Sequence, residues 1–352
     1  MNQFNVERLQ SVLNFFSVPK KKYRFKPITN GLINDTFFVL EGDKTLYILQ
    51  KINNSVFNDI EGMMSNMQNA LVHLKDQDYK ALELIPTLDK KSYHFQNGFW
   101  RLTSYIEQSV TYNTTSRVDV AFEAGKIIGK FHSLLAKVDM EKYVDTIPHF
   151  HDLEFREEQF KKSILGAKKR KLQTAKTAIA FVNETFEYIG LAKTEEQPLR
   201  ICHNDTKLNN ILFSKVDDTA LCLIDLDTLM KGCFYYDFGD AVRTIVNTAP
   251  EDETDHSKII FETALFEAFL KGLSENASFL TKNEIASMPF GVIVMPFLHG
   301  LRALTDYLNE NIYYKVSYDN QNLDRALSLF DFTKKAIANT KYMKATITRT
   351  FI

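Results

Sequence analysis

Apolar residues along the chain follow a helical period, then a strand period, then a helical period again. In the opening MNQFNVERLQSVLNFF they fall at helical spacing. After a basic segment, Lys20 to Lys26, the stretch ITNGLINDTFFVLEGDKTLYILQKIN alternates with period two on either side of Glu41-Gly42-Asp43. That pattern predicts a hairpin, with Asn30-Gly31 supplying a tighter turn just ahead of it. A helix is predicted over Asp59 to Lys75, where Met63, Met67, Leu71 and Leu74 form one stripe. Strands return at Tyr93 to Phe95 and Phe99 to Tyr105. From Val120 the pattern is helical, with Val120, Ala124, Ile127, Ile128, Phe131, Leu134 and Leu135 on one face. Leu153 to Ile189 reads as a long helical stretch whose basic run, Lys168-Lys169-Arg170-Lys171, suits a solvated face. Asp255 to Thr340 is again helical, with Ala264, Leu265, Ala268 and Phe269 together.

One stretch breaks this second helical regime. Residues 199–225, PLRICHNDTKLNNILFSKVDDTALCLID without its leading proline, read as a strand (Leu199 to Cys202) and a polar loop (His203 to Asn210). A short strand (Ile211 to Phe213), a turn and a third strand (Leu221 to Ile224) then deliver Asp225. The spacing His203-x-Asp205-x4-Asn210 with Asp225 following matches the needs of phosphoryl transfer from a nucleotide. A loose transition state leaves little covalent work, so a carboxylate that orients the attacking hydroxyl and takes its proton is wanted, and Asp205 suits it. Magnesium prefers oxygen donors, which an Asn210 amide and an Asp225 carboxylate supply. Lys207 can offset charge on the transferred group, or be a solvated loop lysine. Asp227 follows Asp225 at strand spacing and faces the same ion if the extended conformation continues; otherwise it caps a turn. His203 reads as a loop brace rather than a base. His149 and His151 form an H-x-H pair with no third metal ligand evident nearby.

Composition adds bounds. With 352 residues the chain suits two domains or one bilobal unit, and 45% hydrophobic with 25% charged residues describes an ordinary globular protein. The net charge of -1 gives no electrostatic reason to expect nucleic acid or lipid as a partner. Three cysteines, Cys202, Cys222 and Cys233, are too few for a disulfide framework and fit a reducing cytoplasm. The N-terminus lacks a signal-peptide pattern, and the longest apolar run, Met288 to Leu298, is too short to cross a bilayer.

His203-Asn204-Asp205 with Asn210, then Ile224-Asp225 and Tyr236-Asp237-Phe238-Gly239-Asp240, resemble the signature of the aminoglycoside phosphotransferase and choline kinase superfamily. More narrowly, HNDTKLNNILF, LIDLDTLMKG and YDFGD resemble the N-acetylhexosamine 1-kinases. The resemblance implies an α+β, bilobal protein-kinase-like fold, with a nucleotide-binding lobe over 1–107 and a catalytic and substrate-binding lobe over 108–352. It implies ATP and Mg2+ between the lobes, a small-molecule sugar as acceptor, and no obligate protein partner.

Residue by residue, the resemblance places Gly31, Asn34 and Thr36 in a turn over the phosphates, and Tyr105, Ile106 and Glu107 in the lobe connection that holds adenine. Gly125, Gly129 and His132 repeat the superfamily's G-x3-G-x2-H helix, with His132 packed structurally, and Asp237 is a buried brace for the catalytic loop. Arg302 and Tyr313 match positions that help hold the sugar. The chain departs from the pattern where many relatives carry a phosphate-pairing lysine. It has Gln50 there, with Lys51 one residue later, so either Gln50 serves as a neutral donor or a bulge brings Lys51 round. Glu61 is the obvious candidate to partner whichever residue binds the phosphates. Two alternatives stay open: a kinase of an amino alcohol or aminoglycoside, whose cationic acceptor wants a pocket of several carboxylates, and a non-catalytic nucleotide-binding pseudokinase scaffold.

Overall fold

The computed structural model describes residues 5–28, 33–191 and 196–352. The predicted Asn30-Gly31 turn, and Gly31 with it, lies outside the described residues. A first helix, α1 (Val6–Leu13), starts at Asn5, whose side chain accepts the N–H groups of Glu7 and Arg8. Five strands then form an antiparallel sheet in the order β1 (Arg24–Ile28), β2 (Asp35–Glu41), β3 (Lys44–Ile52), β5 (Phe99–Ser104), β4 (His94–Phe95). The helix α2 (Ile60–His73) lies between β3 and β4 in the chain.

Strand parity gives this sheet two different faces. Phe37, Val39, Leu49, Trp100 and Leu102 point one way and bury against Leu9, Val12, Leu13 and Phe16. Thr36, Gln50 and Arg101 sit directly opposite one another across β2, β3 and β5 and point the other way. α2 docks below that second face through Met63, Met64 and Met67. Its Asn66 is fully buried and donates to the carbonyls of Val144 and Leu229, both at 2.7 Å.

The remainder is mostly helical: β6 (Ser109–Val110), α3 (Val118–Leu135), α4 (Leu153–Gly166), α5 (Lys169–Thr174), α6 (Lys176–Leu191), β7 (Leu199–Cys202), β8 (Ile211–Ser214), β9 (Ala220–Leu223), β10 (Met230–Cys233), α7 (Phe234–Ile245), α8 (Thr263–Ser274), α9 (Lys282–Leu308), α10 (Gln321–Ala338) and α11 (Thr340–Phe351). β7 pairs with β10, while β8 pairs with β6 and β9. Glycine lets α3 and α8 cross with their backbones in contact: a Cβ on Gly125 would overlap the Phe269 carbonyl oxygen, and one on Gly272 that of Phe122. This close crossing is the physical content of the predicted G-x3-G helix.

Three expectations change. The stretch from Leu153 to Ile189 is three helices rather than one, broken where Ala167 is extended, φ -73° and ψ 148°, and again at Ala175. The basic run is not wholly solvated. Lys171 is buried, its Nζ donating to the Tyr307 carbonyl at 2.7 Å in the last turn of α9 and lying 4.4 Å from the Tyr307 ring centre. Finally, the apolar run around Met288 belongs to α9, which at 27 residues is long and apolar enough to cross a membrane. Its apolar window is 83% buried, against α7, α10 and α4 among others, so it is the central helix of a packed core.

Candidate active site

The loop after β7 is held by a buried carboxylate. Asp237, in the first turn of α7, accepts the N–H of His203 at 2.8 Å and that of Asn204 at 2.6 Å, and lies 3.0 Å from His132 Nε2. Burial pushes the His132 imidazole below its ordinary value, the neutral form that a packed histidine takes. Asn204 is left-handed, φ 61°, and its amide nitrogen donates to the Thr228 carbonyl. His203 spans the site: Nε2 meets the Ile224 carbonyl at 2.9 Å and Nδ1 accepts the N–H of Asp205 at 3.2 Å. With both ring nitrogens engaged it braces the loop, as its place in the sequence suggests.

Asp205 therefore emerges from a rigid support. Its Oδ2 receives Lys207 Nζ and Asn210 Nδ2, each at 2.8 Å. Burial alone would raise the Asp205 carboxyl, but Lys207 outweighs it and holds the group below its ordinary value. The amide nitrogen of Asn210 also donates to the Asp205 carbonyl, which leaves Oδ1 as its free acceptor. Asp225 arrives beside it because β9 pairs with β8 and the Ile224 N–H donates to the Asn210 carbonyl at 2.8 Å. Asp225 is itself left-handed, φ 62° and ψ 54°, a conformation costing a non-glycine residue about 1 kcal/mol or more.

Burial first, then the neighbouring Asp227, pushes the Asp225 carboxyl up to about 6. Asp225 is nonetheless solvent-exposed, and a carboxylate under like-charge pressure from Asp227, beside the Asn210 amide oxygen, fits a hard divalent cation, which would relieve that pressure. Asp227 does not continue an extended strand toward the same point. The turn Leu226–Thr228 is 3-10 helical, and it sends the Asp227 side chain up into the sheet. There one oxygen pairs with Arg101 Nη1 and the other accepts Asn34 Nδ2 at 2.7 Å. The expected metal ligand is thus a clasp between the sheet and the helical part.

The nucleotide side corrects further expectations. β3 runs in unbroken register from Tyr47 to Ile52 against β5, and the irregularity on its other side falls at Val39/Leu40, far from Lys51. Lys51 consequently shares a face with Trp100 and its stem lies across Gly98, away from Asp205. Gln50 has the inward face, donating to Thr36 Oγ1 at 3.3 Å and accepting Arg101 Nε at 2.9 Å. Asn34, besides its bond to Asp227, accepts the Asn53 N–H at 3.0 Å. Glu61 is exposed in the first turn of α2 and is no partner for these groups. Tyr105 follows β5 with its N–H on the Leu46 carbonyl at 3.0 Å; Ile106 is half-buried, and Glu107 pairs with Lys44 on the surface.

On the opposite side of Asp205, Arg302 projects from α9 with its guanidinium 4.7 Å from the Phe150 ring centre. Burial would lower it, but Tyr314, Tyr313 and Asp205 hold it above its ordinary value. Asp306 accepts the N–H groups of Tyr313 and Tyr314, at 2.8 and 3.0 Å, which turns this tyrosine pair toward Arg302. Residues whose place beside Asp205 the sequence does not show complete the wall. His151 is buried on the Asn204 carbonyl at 3.0 Å and pushed down to about 3 by burial and by His299 and Arg302. His299 lies 3.1 Å from Asp240, which also takes Arg243 Nε at 2.6 Å. Arg243 further pairs with Glu251. Exposed His149 meets Asp152 instead, so the two histidines of IPHFHD have different partners. Only the YDFGD motif hinted at this region, through Asp240.

A protein-family model for the phosphotransferase enzyme family matches residues 24–269, more than half of the chain. The chain belongs to that family. Among solved structures, the family fold recurs over nearly the whole length. A microcompartment-associated aminopropanol kinase matches with a TM-score of 0.63 and 15% identity, covering 97% of this chain and 99% of its own. A spectinomycin phosphotransferase in complex with ADP and spectinomycin matches at 0.64 and 12%, with 97% and 99% covered. A choline/ethanolamine kinase family protein from Mesorhizobium loti matches at 0.59 and 13%, with 97% and 98% covered. The protein-kinase-like arrangement of an antiparallel sheet lobe and a helical lobe is therefore shared, and the family makes the activity class phosphotransfer.

Proposed function

We propose that this phosphotransferase moves the γ-phosphoryl group of ATP to the anomeric hydroxyl of an N-acetylhexosamine, yielding the sugar 1-phosphate. The nucleotide, held over residues 1–107, supplies the activated phosphoryl group, with Asn210 and Asp225 as donors to its divalent cation. Asp205 orients the acceptor hydroxyl and receives its proton, while Lys207 keeps that carboxylate ionised and ready. Arg302 offers directed donors to ring hydroxyls, and Tyr313 offers an aromatic face to a pyranose.

One observation carries the choice of acceptor. The carboxylates beside Asp205, Asp240 and Glu251, both pair with Arg243, which leaves Asp240 Oδ2 as the one buried carboxylate oxygen of this wall without a hydrogen-bond partner among the described residues, and the remaining wall presents Arg302, Arg156 and His299. A cationic acceptor wants several carboxylates left unpaired for it, and one free oxygen stands against two arginines here, whereas a neutral sugar uses the arginine and tyrosine donors as they stand. The names of the structural relatives favour a second reading, an amino alcohol or aminoglycoside. ADP release with ATP and magnesium decides between them. Turnover is expected with N-acetylglucosamine or N-acetylgalactosamine, and turnover confined to ethanolamine, choline or an aminoglycoside would overturn the sugar reading.

A further inference from the structure

We propose that Arg101, on β5, is the cation that pairs the nucleotide phosphates in this chain, in place of the lysine that Gln50 displaces on β3. The inference rests on membership of the phosphotransferase family and not on the choice of acceptor. Register puts Arg101 directly across from Gln50 on the inward face of the sheet, so the charge has moved one strand sideways. Gln50 Oε1 accepts Arg101 Nε at 2.9 Å, and Gln50 Nε2 is spent on Thr36, so Gln50 steers the guanidinium rather than competing with it.

The arginine's other contacts fit a phosphate role. Nη1 is held by Asp227 and also lies 3.8 Å from Met67 Sδ of α2, while Nη2 makes no hydrogen bond among the described residues and the side chain is 2% exposed. A planar guanidinium fixed at two nitrogens presents the third in a set direction, and phosphate oxygens match that fork. Asp227 supplies a counter-charge that makes burial of the arginine tolerable while no phosphate is present. The same carboxylate ties Arg101 to the strand end that delivers Asp225, so the phosphate-binding cation and the cation-binding carboxylate are set by one short segment. Lys51, the nearest alternative, is on the far face.

The test compares binding of ADP with binding of adenosine by calorimetry, so it needs no acceptor and no turnover. Arg101→Met should weaken ADP by about tenfold or more and leave adenosine within about threefold. Lys51→Met should change ADP affinity by less than about threefold, and Gln50→Met, which removes the steering bond but leaves the cation, should weaken ADP selectively but by less than Arg101→Met. Gln50→Glu, isosteric and facing the guanidinium, should pull Arg101 away from phosphate and weaken ADP selectively. If Arg101→Met does not fold, the Gln50→Glu and Gln50→Met pair decides. Equal loss of ADP and adenosine in Arg101→Met would make Arg101 a structural clasp only. A selective loss of ADP in Lys51→Met, or in Gln50→Met as large as in Gln50→Glu, would also overturn the assignment. Adding Gln50→Lys to Arg101→Met should restore part of the ADP preference, because it returns a cation to the inward face.

Discussion

Replacing Asp237 by Asn keeps the shape of the side chain and removes one acceptor. Asp237 accepts two backbone N–H groups at 2.8 and 2.6 Å, one on each oxygen, and Oδ2 also lies 3.0 Å from His132 Nε2. An amide can face only one of these sides with oxygen, and its NH2 then meets a buried donor on the other. At least one charge-assisted bond is lost and one donor is left unpaired in a site with no exposure. Breaking such a buried network costs about 3–5 kcal/mol. At 352 residues, with about 2.1 cal/mol/K of unfolding entropy per residue, the melting point should fall by roughly 4–7 °C. The same change loosens left-handed Asn204, next to Asp205, and a misplacement of about 1 Å at a reacting group lowers turnover on the order of a hundredfold. Calorimetric melting alongside steady-state kinetics measures both. A melting point within about 1 °C of the parent together with unchanged kcat would refute the bracing argument.

Four further outcomes are expected. Asp205→Asn should abolish turnover while ADP titration and the melting point stay near the parent values; full activity would remove the assignment. In Lys207→Met, burial is no longer offset, so the Asp205 carboxyl rises and the acid limb of the kcat/KM profile moves toward neutral pH. A uniform fall in rate with no movement of that limb would instead place Lys207 on the transferred phosphoryl group. Arg302→Ala should lower kcat/KM for the acceptor by about 10- to 150-fold with KM for ATP unchanged, and a change in the ATP constant alone would contradict its place in the acceptor wall. Gly272→Ala forces a Cβ against the Phe122 carbonyl and should cost about 1–3 kcal/mol, read as a lower melting point, and retention of the parent value would show that α3 and α8 separate freely.

The catalytic loop was legible in the amino-acid sequence because its chemistry is contiguous. His203, Asp205, Lys207 and Asn210 lie within eight positions, and the alternating hairpin after them delivers Asp225 to the same point. Periodicity likewise showed four of the five strands of the sheet, though not β1 in its basic segment, together with α3 and the apolar face of α8, since those patterns are set by local geometry. What pairs across the sheet is a different kind of fact. Gln50 faces inward and Lys51 outward only because β3 keeps its register, and no local signal in YILQKIN excludes a bulge. Arg101 meets Asp227 across 126 positions, and Lys171, whose basic run reads as a solvated face, meets the end of α9 across 136. Burial and long-range pairing depend on how elements stack, so the charges around Asp205 became readable only once the tertiary structure had set strand order and helix crossings.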